Sequence, residues 1–158
     1  MAFKQEPQVF STNFNTMIIG VGEKQVLLGG ENVLPLYTFD APIEFRPKVG
    51  VAISDMGHQK DIPGIEAFYS GAETVVDMAK RAATMPGADF LVLCLDSAHP
   101  NNGDKSIEEC VAIVKEVIDS VDIPIVIEGS KHIEKDKKLL EKVAEAAQGK
   151  NVLILSMV

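Results

Sequence analysis

The chain has no tryptophan, two cysteines and 6% aromatic residues among its 158 positions. So few thiols exclude a disulfide framework. Cys94 and Cys110 are too far apart for a C-x-x-C motif, and each falls in an apolar segment, as expected of reduced core thiols in a cytoplasmic protein. No cluster-type cysteine set is present, so the sequence offers no iron–sulfur ligation. Positive charge is also scarce: 15 Lys and Arg against 23 Asp and Glu leave a formal charge of −8, which disfavours nucleic acid and anionic membranes as partners. The basic run Lys131 to Lys138 is interrupted by Glu134 and Asp136 and reads as a solvated helix face. No apolar run approaches the ~20 residues of a membrane helix. The N-terminus lacks the basic-then-apolar pattern of a signal peptide.

What is present is a chain with 46% hydrophobic residues, enough for one core. Residues 1–47 read as an arm, a β-hairpin turning at Gly22-Glu23-Lys24, and an extended linker carrying Pro35, Pro42 and Pro47. Gly20-Val-Gly22 is not a dinucleotide fingerprint, because Gln25 stands where the third glycine belongs and a strand follows. Residues 48–158 then alternate strand and helix patterns. Strands are expected at Lys48–Ile53, Asp89–Leu95, Ile123–Ile127 and Asn151–Val158. A loop through Asp61–Gly64 precedes the first of three helices, at about Ala72–Thr84. The second follows the capping box Ser106-Ile-Glu-Glu109, and the third runs about Glu134–Gln148 before Gly149.

This pattern predicts an α/β fold, an N-terminal hairpin followed by parallel (β/α) units. Four such units fit either a doubly wound sheet or about half of a TIM barrel, and strand order is not legible. The last strand has no helix after it, so the architecture is expected to need a partner surface, a longer chain or self-association.

Three strands run into a carboxylate, Asp55, Asp96 and Glu128, each followed within four residues by a histidine, His58, His99 and His132. In parallel α/β folds these ends share one ligand-facing rim. Three readings stand: carboxylates that accept loop amides, a divalent metal site, or a rim contacting an organic cofactor, with Asp96, His99, Asn101 and Asn102 as its densest part. No H-x-H, H-E-x-x-H or G-x-S-x-G arrangement appears, so neither a metal-ligand set nor a catalytic residue is assigned.

Leu28-Gly-Gly-Glu-Asn-Val-Leu-Pro35, Tyr37-Thr-Phe-Asp40, Arg46-Pro47, Gly87-Ala-Asp89, Ala98-His-Pro-Asn-Asn102 and Val121-Asp-Ile-Pro124 together resemble the small subunit of the corrinoid iron–sulfur protein. That family is also known as the delta subunit of the carbon monoxide dehydrogenase/acetyl-CoA synthase complex. The resemblance implies a barrel whose hairpin covers its bottom. It implies a large partner subunit carrying the iron–sulfur cluster and a corrinoid (cobalamin), and transfer of a methyl group between a methyltransferase and acetyl-CoA synthase. By the same resemblance Asp55, Asp96, His99, Asn101, Asn102 and Glu128 lie toward the corrinoid. Two alternatives stand beside it: a methyltransferase-like barrel binding a pterin through Asp55, Asp96 and Asn102, and a non-catalytic fragment that acts by assembly.

Overall fold

The computed structural model describes residues 6–34 and 39–155. Pro35 and Tyr37–Thr38 of the family-like words, and the last three residues of the expected fourth parallel strand, lie outside the described residues. β1 (Thr16–Ile19) and β2 (Val26–Gly29) form a two-stranded sheet joined through a 3₁₀ turn at Gly22–Lys24, the expected hairpin. β3 (Gly50–Ser54), β4 (Phe90–Cys94), β5 (Ile125–Glu128) and β6 (Leu153–Leu155) form a parallel sheet in the order β3-β4-β5-β6. Between them lie α1 (Pro63–Tyr69), α2 (Val75–Ala83), α3 (Ile107–Ser120) and α4 (Ile133–Ala146).

Two compact units divide the chain, one formed by Met1–Ile18 and Leu27–Lys48, the other by Ile19–Val26 and Val49–Val158. In the first, Asn32 anchors the proline-rich stretch: its amide donates to the Pro42 carbonyl at 3.1 Å and its side-chain oxygen accepts from Glu44 N at 3.3 Å. The linker thus needs no strand pairing to be held. In the second, the hairpin tip bonds at the N-terminal edge of the parallel sheet. Gly20 N donates to the Asn151 carbonyl and the Asn151 amide donates back to Gly20 O, both at 2.9 Å. Gly20 has φ +83°, and a Cβ there would come within 2.7 Å of Pro124, so only glycine fits this approach.

Local signals explain the helix starts. Thr74 and Ser106 each accept from the amide three residues on, and Asp77 and Glu109 reach back to the cap amide. The Thr74 box moves the start of α2 to Val75, three residues later than the periodicity suggested. The expectation of three helices in residues 48–158 is corrected to four among the described residues. α1 occupies ground read as loop, with Pro63 at its first position. Seven residues are too few for helical periodicity to register.

Side chains alternate across each strand. Val51, Ile53, Leu91, Leu93, Ile125, Ile127 and Ile154 face the helices, where Ala79, Ala82, Val114, Val117, Leu139 and Val143 meet them in one core. The opposite row includes exposed Ala52, half-buried Val92 and buried Val126. β4 is therefore helix-covered on its Leu91 and Leu93 face. Sequential strand order with the crossover helices packed on one face is the arrangement of a TIM barrel's first half, whereas a doubly wound sheet reverses strand order and carries helices on both faces. The chain is α/β and resembles such a half-barrel. No helix among the described residues is long and apolar enough to cross a membrane.

Candidate functional site

Register places Ser54 beside Cys94 and Cys94 beside Glu128, one row across the C-terminal ends of three strands. All three point away from the helix-covered core, because each is an even step from Ala52, Val92 or Val126. From this row a polar network grows. Ser54 Oγ donates to Asp96 Oδ2 at 2.7 Å, and Cys94 Sγ donates to Glu128 Oε2 at 3.1 Å. Lys131 bridges the two carboxylates, its Nζ 3.6 Å from Asp96 Oδ1 and 3.5 Å from Glu128 Oε1.

The electrostatics follow from this placement. Burial, then the hydrogen bond to Glu128 and its charge, pushes the Cys94 thiol up to about 12, so it is a neutral donor near pH 7 and a poor nucleophile. Glu128 and then Asp96 raise the Lys131 ammonium above its ordinary value, which keeps it charged. The rim is thus a formal two-carboxylate, one-ammonium cluster edged by a hydroxyl and a protonated thiol.

Lys131 is held by the turn after β5. Its backbone has φ +67°, a left-handed conformation that costs a non-glycine residue ~1–2 kcal/mol. Asp136 supplies the compensation: buried in α4, it accepts from Ser130 N at 2.8 Å, Ser130 Oγ at 2.6 Å and Lys131 N at 2.9 Å. Gly129 lies against this carboxylate, where an added Cβ would stand 2.6 Å from Asp136 Oδ2. The run Lys131–Lys138 is therefore not one solvated face. Lys131 precedes the helix, Asp136 is interior, and Lys135 pairs with Asp104.

The other residues singled out from sequence divide. Asp55 is buried, with Oδ1 accepting from Ser97 N at 2.9 Å and Oδ2 from Ser97 Oγ, so it braces the β3 end against the loop after β4. Asn101 and Asn102 are exposed on a 3₁₀ turn, the Asn102 amide donating to the Asp96 carbonyl at 3.3 Å. The His99 and His132 rings meet edge-on with centroids 5.7 Å apart. Each accepts a backbone N–H at Nδ1, from Asn101 and Lys135, which leaves Nε2 as the ring nitrogen that donates. His58 is engaged by α1, with Nε2 2.8 Å from Glu66 and its ring stacked on Tyr69. No group of three or more His, Cys, Asp and Glu among the described residues is arranged to hold a metal ion.

Sequence reading missed Lys131, and it assigned Cys94 to the core alone. The available signals were Lys131 lying three residues past Glu128, outside the helical pattern, and Cys94 ending an apolar strand whose neighbour ends in Glu128.

Three relatives are delta subunits of the acetyl-CoA decarbonylase/synthase complex. That of Archaeoglobus fulgidus is 33% identical over 138 residues, covering 87% of this chain and 30% of the relative. The delta 1 subunit of Methanosarcina thermophila is 36% identical over 135 residues, covering 84% and 30%. The subunit of Methanothermobacter thermautotrophicus is 36% identical over 138 residues, covering 84% and 34%. The chain spans about a third of the length of these relatives. Residues 16–157 match the family described as CO dehydrogenase/acetyl-CoA synthase delta subunit. With that match running from the first hairpin strand through the last parallel one, the chain belongs to the CO dehydrogenase/acetyl-CoA synthase delta subunit family.

Proposed function

We propose that the chain is a non-cluster subunit, or a part of one, in a corrinoid methyl-carrier complex of acetyl-CoA and one-carbon metabolism, with its strand-end rim turned toward a corrinoid carried by a large partner subunit. The observation that carries this reading is the row Ser54, Cys94 and Glu128 extended by Asp96 and Lys131, a polar rim at the strand ends of a chain whose relatives are named as delta subunits of an acetyl-CoA decarbonylase/synthase complex.

The rim fits such a group in its donor and acceptor chemistry. A corrinoid ring is edged with carboxamides, which need acceptors for their N–H groups and donors for their carbonyls. Asp96, Glu128 and the Asn101 amide, which is exposed, supply the first kind; Lys131, Asn102 and the Nε2–H of His99 supply the second. A bound corrinoid would supply the cobalt that carries a methyl group. The residues of this chain would bind its edge, orient it and shield it from water, with no proton transfer or covalent step of their own. Methyltransferase and acetyl-CoA synthase are the further partners of this reading. The pterin alternative draws on Asp55, whose two oxygens are taken by Ser97, and no observation favours it.

Gel filtration of the chain with a purified corrinoid-bearing large subunit of such a complex tests the proposal. Co-elution is expected, and Asp96→Asn should weaken it about tenfold or more, as loss of a charged hydrogen-bond acceptor does. A chain that ignores both cobalamin and the large subunit overturns it.

A further inference from the structure

Each rim carboxylate has one oxygen satisfied by the chain and one facing Lys131. Asp96 Oδ2 is taken by Ser54 and Glu128 Oε2 by Cys94, while Asp96 Oδ1 and Glu128 Oε1 meet the ammonium at 3.6 and 3.5 Å. Those separations are ion-pair distances, longer than an N–H···O hydrogen bond. The ammonium is held chiefly by the charges of Glu128 and Asp96, with only a long hydrogen bond to Glu128 beside them. It is also the most open member: the Lys131 side chain is 47% exposed, Asp96 27% and Glu128 13%. Its backbone is nonetheless fixed in an uncommon conformation by the three bonds to Asp136. A half-exposed head on a fixed base is the arrangement of a binding group.

We infer that Lys131, Asp96 and Glu128 form a receptor for a primary carboxamide, in which the ligand's NH₂ donates to Asp96 Oδ1 or Glu128 Oε1 and its carbonyl oxygen accepts from the Lys131 ammonium, with Asp136 as the positioning residue. A carboxylate oxygen beside an ammonium matches the donor–acceptor pair of an amide, whereas a carboxylate ligand would set its charge against two like charges. The inference rests on the rim reading above and adds to it the recognised group and the residue that holds the ammonium in place.

The test uses the full chain with its lysines ¹³C-dimethylated, the Lys131 signal assigned with Lys131→Arg, and two probes, cyanocobalamin and propionamide. Both probes are expected to shift the Lys131 signal saturably. Lys131→Met should weaken cyanocobalamin binding about tenfold, the loss of one charge-assisted hydrogen bond, and Lys131→Arg should retain most of it. A cobalamin monocarboxylate, with one amide hydrolysed, should bind no better than the parent. Asp136→Asn should move the Lys131 titration toward that of the other lysines. If cyanocobalamin binds equally well to the parent and Lys131→Met chains, the receptor assignment falls while the rim reading stands. If propionamide shifts Lys131 but neither cobalamin nor the large subunit binds, the receptor stands and the rim reading falls. A Lys131 signal that neither probe moves overturns the inference, and because Lys131 is exposed its variants are not expected to disturb the core.

Discussion

At the residue scale, the protonation of Cys94 is the most direct consequence of the rim. A buried thiol donating to a carboxylate gives up its proton reluctantly, and its ordinary value of 9.0 is raised to about 12. Iodoacetamide is therefore expected to label Cys94 slowly at pH 8, and Glu128→Gln should speed the reaction by removing the carboxylate's charge. Mass-spectrometric labelling against pH checks this; parent Cys94 reacting as fast as in the urea-unfolded chain would contradict it. The same titration bears on stability. The folded state holds this proton more tightly than the unfolded state, so its contribution is fully present below pH 9 and lost as pH rises from 9 toward 12. Strand-end carboxylates were legible as a class, but their separate fates were not. Asp55 turned inward because Ser97, 42 residues away, offers it an N–H and a hydroxyl, and Asp96 stayed on the rim because Ser54 occupies only one of its oxygens.

At the element scale, the turn between β5 and α4 joins the fold to the site. Gly129 is needed there for its missing Cβ: Asp136 sits against it, and a carboxylate fixed by three donors cannot swing aside. Gly129→Ala should cost about 2 kcal/mol in urea unfolding, a typical overpacking penalty. It should also loosen Lys131, readable as a Lys131 titration closer to that of the other lysines. An unchanged midpoint would mean that the turn absorbs the methyl group elsewhere. Helix starts were legible where a cap box stood in the sequence, as at Ser106, because the signal is local. α1 was not, since two turns after Pro63 give neither periodicity nor a side-chain cap.

At the scale of the whole molecule, one core lies between the parallel sheet and its helices, and its centre tolerates truncation least. Leu139, fully buried beside Val114 and Val143, should lose about 3 kcal/mol on replacement by alanine. Half-buried Val92, on the opposite face of the sheet, should lose about 1 kcal/mol in the equivalent change. Equal losses at the two sites would contradict the assignment of faces. The alternation of strand and helix, the parallel class of the sheet, the hairpin and the strand-end carboxylates followed from the sequence alone, because periodicity, turn residues and caps act over a few neighbouring positions. Strand order, the face each helix covers, the burial of Asp55 and Asp136 and the placing of Lys131 between Asp96 and Glu128 were decided only in the tertiary structure. These depend on contacts between side chains from different strands and loops, and the pairing energies that select them have no counterpart in the local pattern of either partner.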